Sequence, residues 1–135
     1  MIIDGKNAVL GRLASYAAKA ANEGEEVVIV NAGEIVVTGN KNAVVKDFAD
    51  RLQIGTASKG PFINRTTVGL VRRAIRGMVK RQISQGREAL KRIKVYDGVP
   101  EEFKGKETVS IAKIPEDSVV HRVKISEISN ILKGV

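Results

Sequence analysis

The chain has 135 residues, a formal net charge of +8, one histidine and no cysteine. This composition excludes disulfides, thiolate metal sites, cysteine nucleophiles and multi-histidine metal sites. No apolar run reaches the roughly 18 residues that span a membrane, and the N-terminus lacks the pattern of a secretory signal. We therefore expect a single cytoplasmic domain over residues 1–135, with no membrane partner.

The N-terminal segment alternates strand-like and helix-like patterns. Ile2 and Ile3 form a short apolar start, and apolar residues recur at helical spacing over 8–21. Gly24 is a natural helix stop. Residues 26–30 (EVVIV) are nearly all apolar and β-branched, which is typical of a strand buried on both faces.

Another strand and helix follow. Residues 35–38 form a short β-type run, and a helix over 43–53 can be capped by Asn40 or Asn42. Parallel strands need crossover helices, so this alternation favours an α/β sandwich with a mainly parallel sheet.

A block of one charge sign occupies the middle of the chain. Between Lys59 and Lys94 there are eleven Lys or Arg residues and one acid, Glu88, whereas the other 99 residues carry twelve basic and fourteen acidic residues. Such a block is typical of a surface for a polyanion, most often a nucleic acid. An acidic membrane surface is the alternative, but a membrane helix would need bulky aromatics on its apolar face.

The block begins with a loop over 54–65 that shows no periodicity. Phe62 in this loop could either stack on an unpaired base or pack in the core. Arg65 could contact a phosphate, and Lys59 and Phe62 are further candidate contacts in this loop.

Two basic helices follow the loop. The first is capped by Thr66 or Thr67 and is predicted to run to about Ile83, with Val68, Val71, Ala74, Ile75, Met78 and Val79 on its apolar face. The second is predicted over 84–93, before a short strand at 94–96. Like charges at i, i+4 repel unless an anion screens them, so we expect these helices to bind a polyanion. Their candidate contact residues are Arg72, Arg73, Arg76, Lys80, Arg81, Arg87, Lys91, Arg92 and Lys94.

The C-terminal part predicts an extended arm over 97–118 with a strand-like piece at 108–112. A half-buried strand over 119–125 and a final helix capped by Ser126 follow.

The turn over 4–12 is a further candidate site. Gly11 and Arg12 stand near the start of a helix, where backbone amides and the helix dipole favour an anion. Three interpretations stay open: tight packing of the helix on the sheet, a phosphate of RNA, or a free nucleotide with Glu34 as its ribose partner. Neither nucleotide-binding fingerprint is present.

Catalytic patterns are not evident. The acids near turns form no paired-carboxylate pattern, and the serines lack the context of a nucleophile elbow. His121 stands between Val120 and Arg122 in an alternating strand and is expected to be a surface or half-buried structural residue. We therefore predict a protein that is not an enzyme, takes no cofactor and has no small-molecule substrate.

Several motifs together resemble the L-thirteen family of large-subunit ribosomal proteins, in particular its archaeal and eukaryotic branch. In chain order they are 9–15 (VLGRLAS), 28–32 (VIVNA), 35–39 (IVVTG), 60–62 (GPF), Arg65, 76–78 (RGM), 86–103 (GREALKRIKVYDGVPEEF) and 123–128 (VKISEI). They fall in the family's order over nearly the whole chain.

The resemblance implies a three-layer α/β/α fold around a four-stranded, mainly parallel sheet. It also implies direct binding to large-subunit ribosomal RNA (23S-type), a role in subunit assembly and translation, and contacts with neighbouring ribosomal proteins. Carried over by position, Gly11, Arg12, Gly60, Arg65, Arg76 and the basic residues of the second helix resemble family RNA contacts. Two departures, Thr66-Thr67 for Ala-Pro and Val79-Lys80 without a proline, fall in the region 59–84.

Overall fold

A computed structural model describes residues 1–54, 64–80, 82–111, 113–115 and 119–134. The helices among these residues are α1 (Leu10–Asn22), α2 (Lys41–Leu52), α3 (Thr67–Arg76), α4 (Ser84–Lys91) and α5 (Ile125–Lys133). The strands are β1 (Ile2–Asp4), β2 (Val27–Val30), β3 (Val36–Thr38), β4 (Ile93–Val95), β5 (Val109–Ser110) and β6 (Arg122–Lys124).

The central sheet has four strands in the order β4-β2-β1-β5, and every neighbouring pair in it is parallel. Ile3 pairs with Ile29 and Val27 with Ile93, and all four of these side chains are buried. Burial of both sheet faces explains the unbroken apolar run in β2. The predicted α/β sandwich with a mainly parallel four-stranded sheet is confirmed.

A second, smaller sheet joins β3 and β6 in antiparallel register, with Val37 opposite Val123. Strand β6 leads directly into α5, whose Ile128 and Leu132 are fully buried. This sheet and α5 therefore fix the C-terminal part of the chain to the same hydrophobic core as β1 and β2.

The helices of the basic block pack on the first helix. Both α3 and α4 contact α1, and α3 also contacts α5. Small buried residues of α1, such as Ala14 and Ala17, permit these close approaches. As a result, α1 packs against both basic helices, with its start beside α3 and its end beside the end of α4.

The first basic helix is shorter than the sequence predicts. It ends at Arg76 rather than near Ile83, and its C-cap is Gly77. The break lets Val79 turn into the core, where it is 5% exposed, while Met78 is left 44% exposed. The prediction that Met78 shares the buried face was therefore wrong, because a continuous helix was assumed. Leu70, which that prediction omitted, is buried.

Other boundaries also differ from the prediction. Ile93 belongs to β4 instead of the second basic helix, since pairing with β2 buries its side chain. Ser126 lies inside α5, which begins at Ile125 with Lys124 as its N-cap. The strand predicted over 119–125 is confined to β6, and Val119 is 94% exposed. Within 97–118, a 3-10 turn at Glu101–Phe103 precedes β5, which lies in the strand-like piece predicted at 108–112. The extended arm over this segment stays a prediction.

Candidate nucleic-acid interface

Exposed cations follow α3, the turn after it and α4. They are Arg73, Arg76, Lys80, Arg87, Lys91 and Lys94, all of which were predicted as contact residues. Glu88 is the one acid in the sequence over 64–94, so these cations have little local compensation. Guanidinium groups match the geometry of phosphate oxygens, and lysines add point charges. We call these six residues the basic surface.

An open groove runs along part of the basic surface. It has a volume of about 430 Å³, and its walls include Arg73, Arg76, Lys80 and Gln82. Gly77, Met78 and Val79, which follow the end of α3, complete its lining. The walls present donors rather than carboxylates, which suits an anionic ligand.

Three other predicted arginines are partly buried and bond to the protein's own backbone. Nη1 of Arg65 donates to the Leu132 carbonyl at 3.1 Å, Nη1 of Arg72 to Ile93 at 2.9 Å, and Nη1 of Arg92 to Ala21 at 2.9 Å. Each bond joins two segments that are far apart in the sequence. Sequence patterns could not separate these arginines from the exposed ones, because side-chain partners distant in sequence decide their direction.

The start of α1 is an exposed helix N-terminus. Gly11 and Arg12 are both exposed, and a Cβ added at Gly11 would meet no atom within 4 Å. The N-cap Val9 supplies no side-chain hydrogen bond, and the first turn holds no acid. An arginine in this turn opposes the helix dipole, so an anion here would relieve the repulsion.

Of the three interpretations of this turn, tight packing holds at Gly5 but not at Gly11. A Cβ at Gly5 would stand 2.7 Å from Ile35 Cγ1 and 3.0 Å from the Asn31 carbonyl oxygen. Gly5 is therefore required where β1 turns against its neighbours. Gly11 has no such packing role and leaves its backbone open to an approaching ligand.

The carboxylate at the end of β1 is fully engaged. Asp4 accepts hydrogen bonds from the Lys6 backbone at 3.1 Å, Asn31 Nδ2 at 3.1 Å and Lys113 Nζ at 3.2 Å. Partial burial raises the pKa of Asp4, but the hydrogen bonds from Asn31, the Lys6 backbone and Lys113 lower it by a larger amount. The pKa of Asp4 therefore lies below its usual value. These partners give Asp4 a structural role at the carboxyl end of β1, an inner strand of the central sheet.

The remaining predicted residues Lys59, Gly60, Phe62 and Arg81 lie outside the described residues. His121 is exposed immediately before β6, and its carbonyl accepts a hydrogen bond from the Gly39 backbone at 2.9 Å. Among the described residues, no group of His, Cys, Asp and Glu could hold a metal ion. Within that same part of the chain, none of the helices has the length and apolar character needed to cross a bilayer.

Sequence reasoning overlooked Phe48 and Arg51 of α2. With Leu10, Leu70 and Arg73 they line a second hollow of about 260 Å³ between α1, α2 and α3. The signal was present as an aromatic and a cation at i, i+3 on one helix, where the Arg51 guanidinium lies 5.1 Å from the Phe48 ring centroid.

Comparison with known proteins places these features in one family. Residues 1–102 match the family model for Ribosomal protein L13. The chain is 40% identical over 134 residues to "Large ribosomal subunit protein uL13" of Thermoplasma volcanium, covering 99% of this chain and 98% of that protein. Its counterpart in Thermoplasma acidophilum is 37% identical over 133 residues, covering 98% of each chain.

A third relative of the same name, from Archaeoglobus fulgidus, is 38% identical over 122 residues, which cover 90% of this chain and 76% of that protein. All three relatives are archaeal and are named as ribosomal proteins, which confirms the expected branch and the prediction that the chain is not an enzyme. With a matching family model over residues 1–102 and relatives aligned over nearly its full length, the chain belongs to the ribosomal protein L13 family.

Proposed function

We propose that this protein is a structural constituent of the large ribosomal subunit that binds large-subunit ribosomal RNA and supports subunit assembly. The observation that carries the proposal is the basic surface, six exposed cations on α3, α4 and their flanks with Glu88 as the one acid in the sequence over 64–94. Uncompensated cations on two adjacent helices repel one another unless a polyanion neutralises them. The names of the relatives support the ribosome as the place of binding.

Binding combines electrostatic attraction with recognition of RNA shape. The α/β body presents the basic surface rigidly, because α3 and α4 both pack on α1. Cations then replace the counterions condensed on the phosphates, and release of these counterions drives association. In addition to the six cations, Gly11 and Arg12 offer a further phosphate contact at the start of α1.

Different arginines contribute in different ways to this interface. Arg73 and Arg76 are exposed and offer complete guanidinium groups to phosphates. Arg65, Arg72 and Arg92 each donate from Nη1 to a backbone carbonyl distant in sequence, so these arginines set the shape of the interface. Arg72 and Arg92 also carry further guanidinium donors that can contact RNA. Neighbouring proteins of the subunit would contact the surfaces that RNA leaves free.

The direct test is sedimentation with large ribosomal subunits. We expect the protein to sediment with them at moderate salt and to leave them at high salt, since phosphate contacts weaken steeply with ionic strength. Six to eight phosphate contacts predict a slope of log affinity against log salt of about −4 to −7. A protein found free of these particles at moderate salt would contradict the proposal.

A competition experiment separates this function from general nucleic-acid binding. Large-subunit ribosomal RNA and an unrelated duplex of equal length are offered together at one salt concentration. Shape recognition predicts a marked preference for the ribosomal RNA. Equal binding of the two would instead indicate a general basic regulator that follows charge alone.

A further inference from the structure

The hollow between α1, α2 and α3 has walls of two chemical kinds. Its apolar wall consists of Leu10, Phe48, Leu70 and Ala74, and its cations are Arg51 and Arg73. Its volume of about 260 Å³ is somewhat below that of sites for drug-sized ligands, so it suits a single planar ring. The hollow is therefore apolar inside and positively charged at its rim.

One aromatic ring in this hollow is already paired with a cation. The Arg51 guanidinium lies 5.1 Å from the Phe48 ring centroid and is held by a bond of 2.9 Å to Asp47 Oδ2. Phe48 is half-buried and packs against the core, so its ring forms part of the wall of the hollow. A flat ligand that enters the hollow can contact the Phe48 ring and the guanidinium plane together.

Arg73 links this hollow to the basic groove. Arg73 lines both the hollow between α1, α2 and α3 and the groove that contains Arg76 and Lys80. A phosphate chain that follows the groove therefore passes the mouth of the hollow. An anion with an attached planar apolar group would satisfy both at once.

We propose that the hollow binds one unpaired nucleobase of the RNA, whose flanking phosphates lie on Arg73 and Arg76. This inference rests on the proposed function and adds base recognition to binding through phosphates and shape. Unstacked bases in RNA loops commonly stack on aromatic rings and arginine planes. An apolar side chain of a partner protein would match the apolar wall, but it would bring no negative charge to Arg73, which lines both the hollow and the basic groove.

Ultraviolet crosslinking tests the position of the base. The full-length protein is bound to large-subunit ribosomal RNA, irradiated and digested with nuclease and trypsin. Cleavage after Lys46 and Arg51 gives a peptide of residues 47–51 that contains Phe48. We expect this peptide to carry the mass of one nucleotide. A complex in which it carries none would contradict the inference.

A conservative variant tests the contribution of the ring. Phe48→Leu keeps an apolar side chain but removes the aromatic face, so we expect roughly ten-fold weaker RNA binding and loss of the crosslink. The salt dependence should be unchanged, because no charge is removed. The matched control is Phe103→Leu, since Phe103 is also half-buried beside a cation, Lys106 at 5.5 Å, but lies outside the hollow. Its affinity should equal that of the wild type.

A second variant keeps the inference testable should Phe48→Leu fail to fold. Ala74→Met, on α3, fills the hollow with a flexible side chain and should weaken binding and reduce the crosslink. Unchanged affinity in either folded variant would overturn the base site, even though the wild type still bound RNA with steep salt dependence. Failure of the wild type to bind in a salt-dependent way would overturn the proposed function instead.

Discussion

Nη1 of Arg92 donates a hydrogen bond of 2.9 Å to the carbonyl oxygen of Ala21. Ala21 lies in the last turn of α1, and Arg92 is the C-cap of α4, so the bond joins the ends of two helices. The Ala21 carbonyl also accepts from the Gly24 backbone at 3.1 Å, and carbonyls in the last turn of a helix carry the negative end of its dipole. An arginine that the charge pattern assigns to RNA therefore also holds the protein together.

The bond to Ala21 makes Arg92 more important for stability than the exposed cations. We expect Arg92→Gln to lower the free energy of unfolding by about 1.5 kcal/mol, because a charged donor to a partly buried carbonyl is lost. The control Arg87→Gln changes an exposed residue of α4 and should stay within about 0.5 kcal/mol of the wild type. Urea unfolding followed by circular dichroism measures both. Equal stability of the two variants would show that the bond to Ala21 contributes nothing.

Three cations of the basic surface should contribute a measurable part of the salt dependence of RNA binding. Replacing Arg73, Arg76 and Lys80 with glutamine removes three exposed cations from the groove, so the slope of log affinity against log salt should become shallower by about 2 to 3. Thermal unfolding should be unaffected, since none of the three is buried. Filter binding over a salt series gives the slope. An unchanged slope would exclude this groove as a phosphate site.

Arg72 calls for a separate variant. One of its nitrogens donates to the Ile93 carbonyl at 2.9 Å, so Arg72→Gln would mix a loss of stability with a loss of RNA contacts.

Gly11 offers a test in which stability and binding move in opposite directions. Alanine at this exposed helical position meets open space, so Gly11→Ala should stabilise the protein by roughly 0.4 to 1 kcal/mol. RNA binding should weaken nevertheless, because the added methyl keeps a phosphate from the backbone amides at the start of α1. The melting temperature and the dissociation constant are measured on the same preparation.

A control at Gly5 distinguishes the two glycines of this turn. A methyl at Gly5 would stand 2.7 Å from Ile35 Cγ1, so Gly5→Ala should destabilise the fold. A Gly11→Ala variant that is both more stable and fully able to bind RNA would remove α1 from the interface.

The central sheet was predictable because its signal is local. The β-branched run of β2 and the apolar periodicity of α1 each lie within one short stretch of sequence. The end of α3 was not predictable in the same way, since Val79 leaves the helical path to reach a core built by distant elements. The cap was predictable: the Thr66 side chain accepts from the Gly69 backbone at 3.2 Å, as threonine does before many helices.

The candidate site was predictable in composition but not in geometry. The charge block identified the exposed cations Arg73 and Arg76, because an excess of one sign is visible without coordinates. The charge block could not show which arginines turn inward. That depends on the carbonyls of Leu132, Ile93 and Ala21, which lie between 21 and 71 residues away in the sequence from the arginines that they bind. The hollow beside Phe48 depends on three helices meeting, which no single stretch of sequence encodes.

Asp4 should give the protein a measurable loss of stability in acid. Its pKa lies below the usual value, since the bonds from Asn31, the Lys6 backbone and Lys113 outweigh the effect of partial burial, which raises it. A carboxyl with a lowered pKa in the folded state contributes stability that is complete above its unfolded pKa, near 4. That contribution is lost as the pH falls through the lower, folded value.

Asp4→Asn removes the charge and keeps the shape of the side chain. We expect it to lower the free energy of unfolding at pH 7 by about 1.5 kcal/mol, because bonds to a charged acceptor are lost. Below pH 4 the variant should approach the wild type, since the wild-type carboxyl is then itself becoming neutral. The matched control is Asp47→Asn, whose exposed bridge to Arg51 should contribute little at any pH. If the difference in the free energy of unfolding between Asp4→Asn and the wild type stayed constant from pH 7 down to pH 2, the charge of Asp4 would not be what stabilises this end of β1.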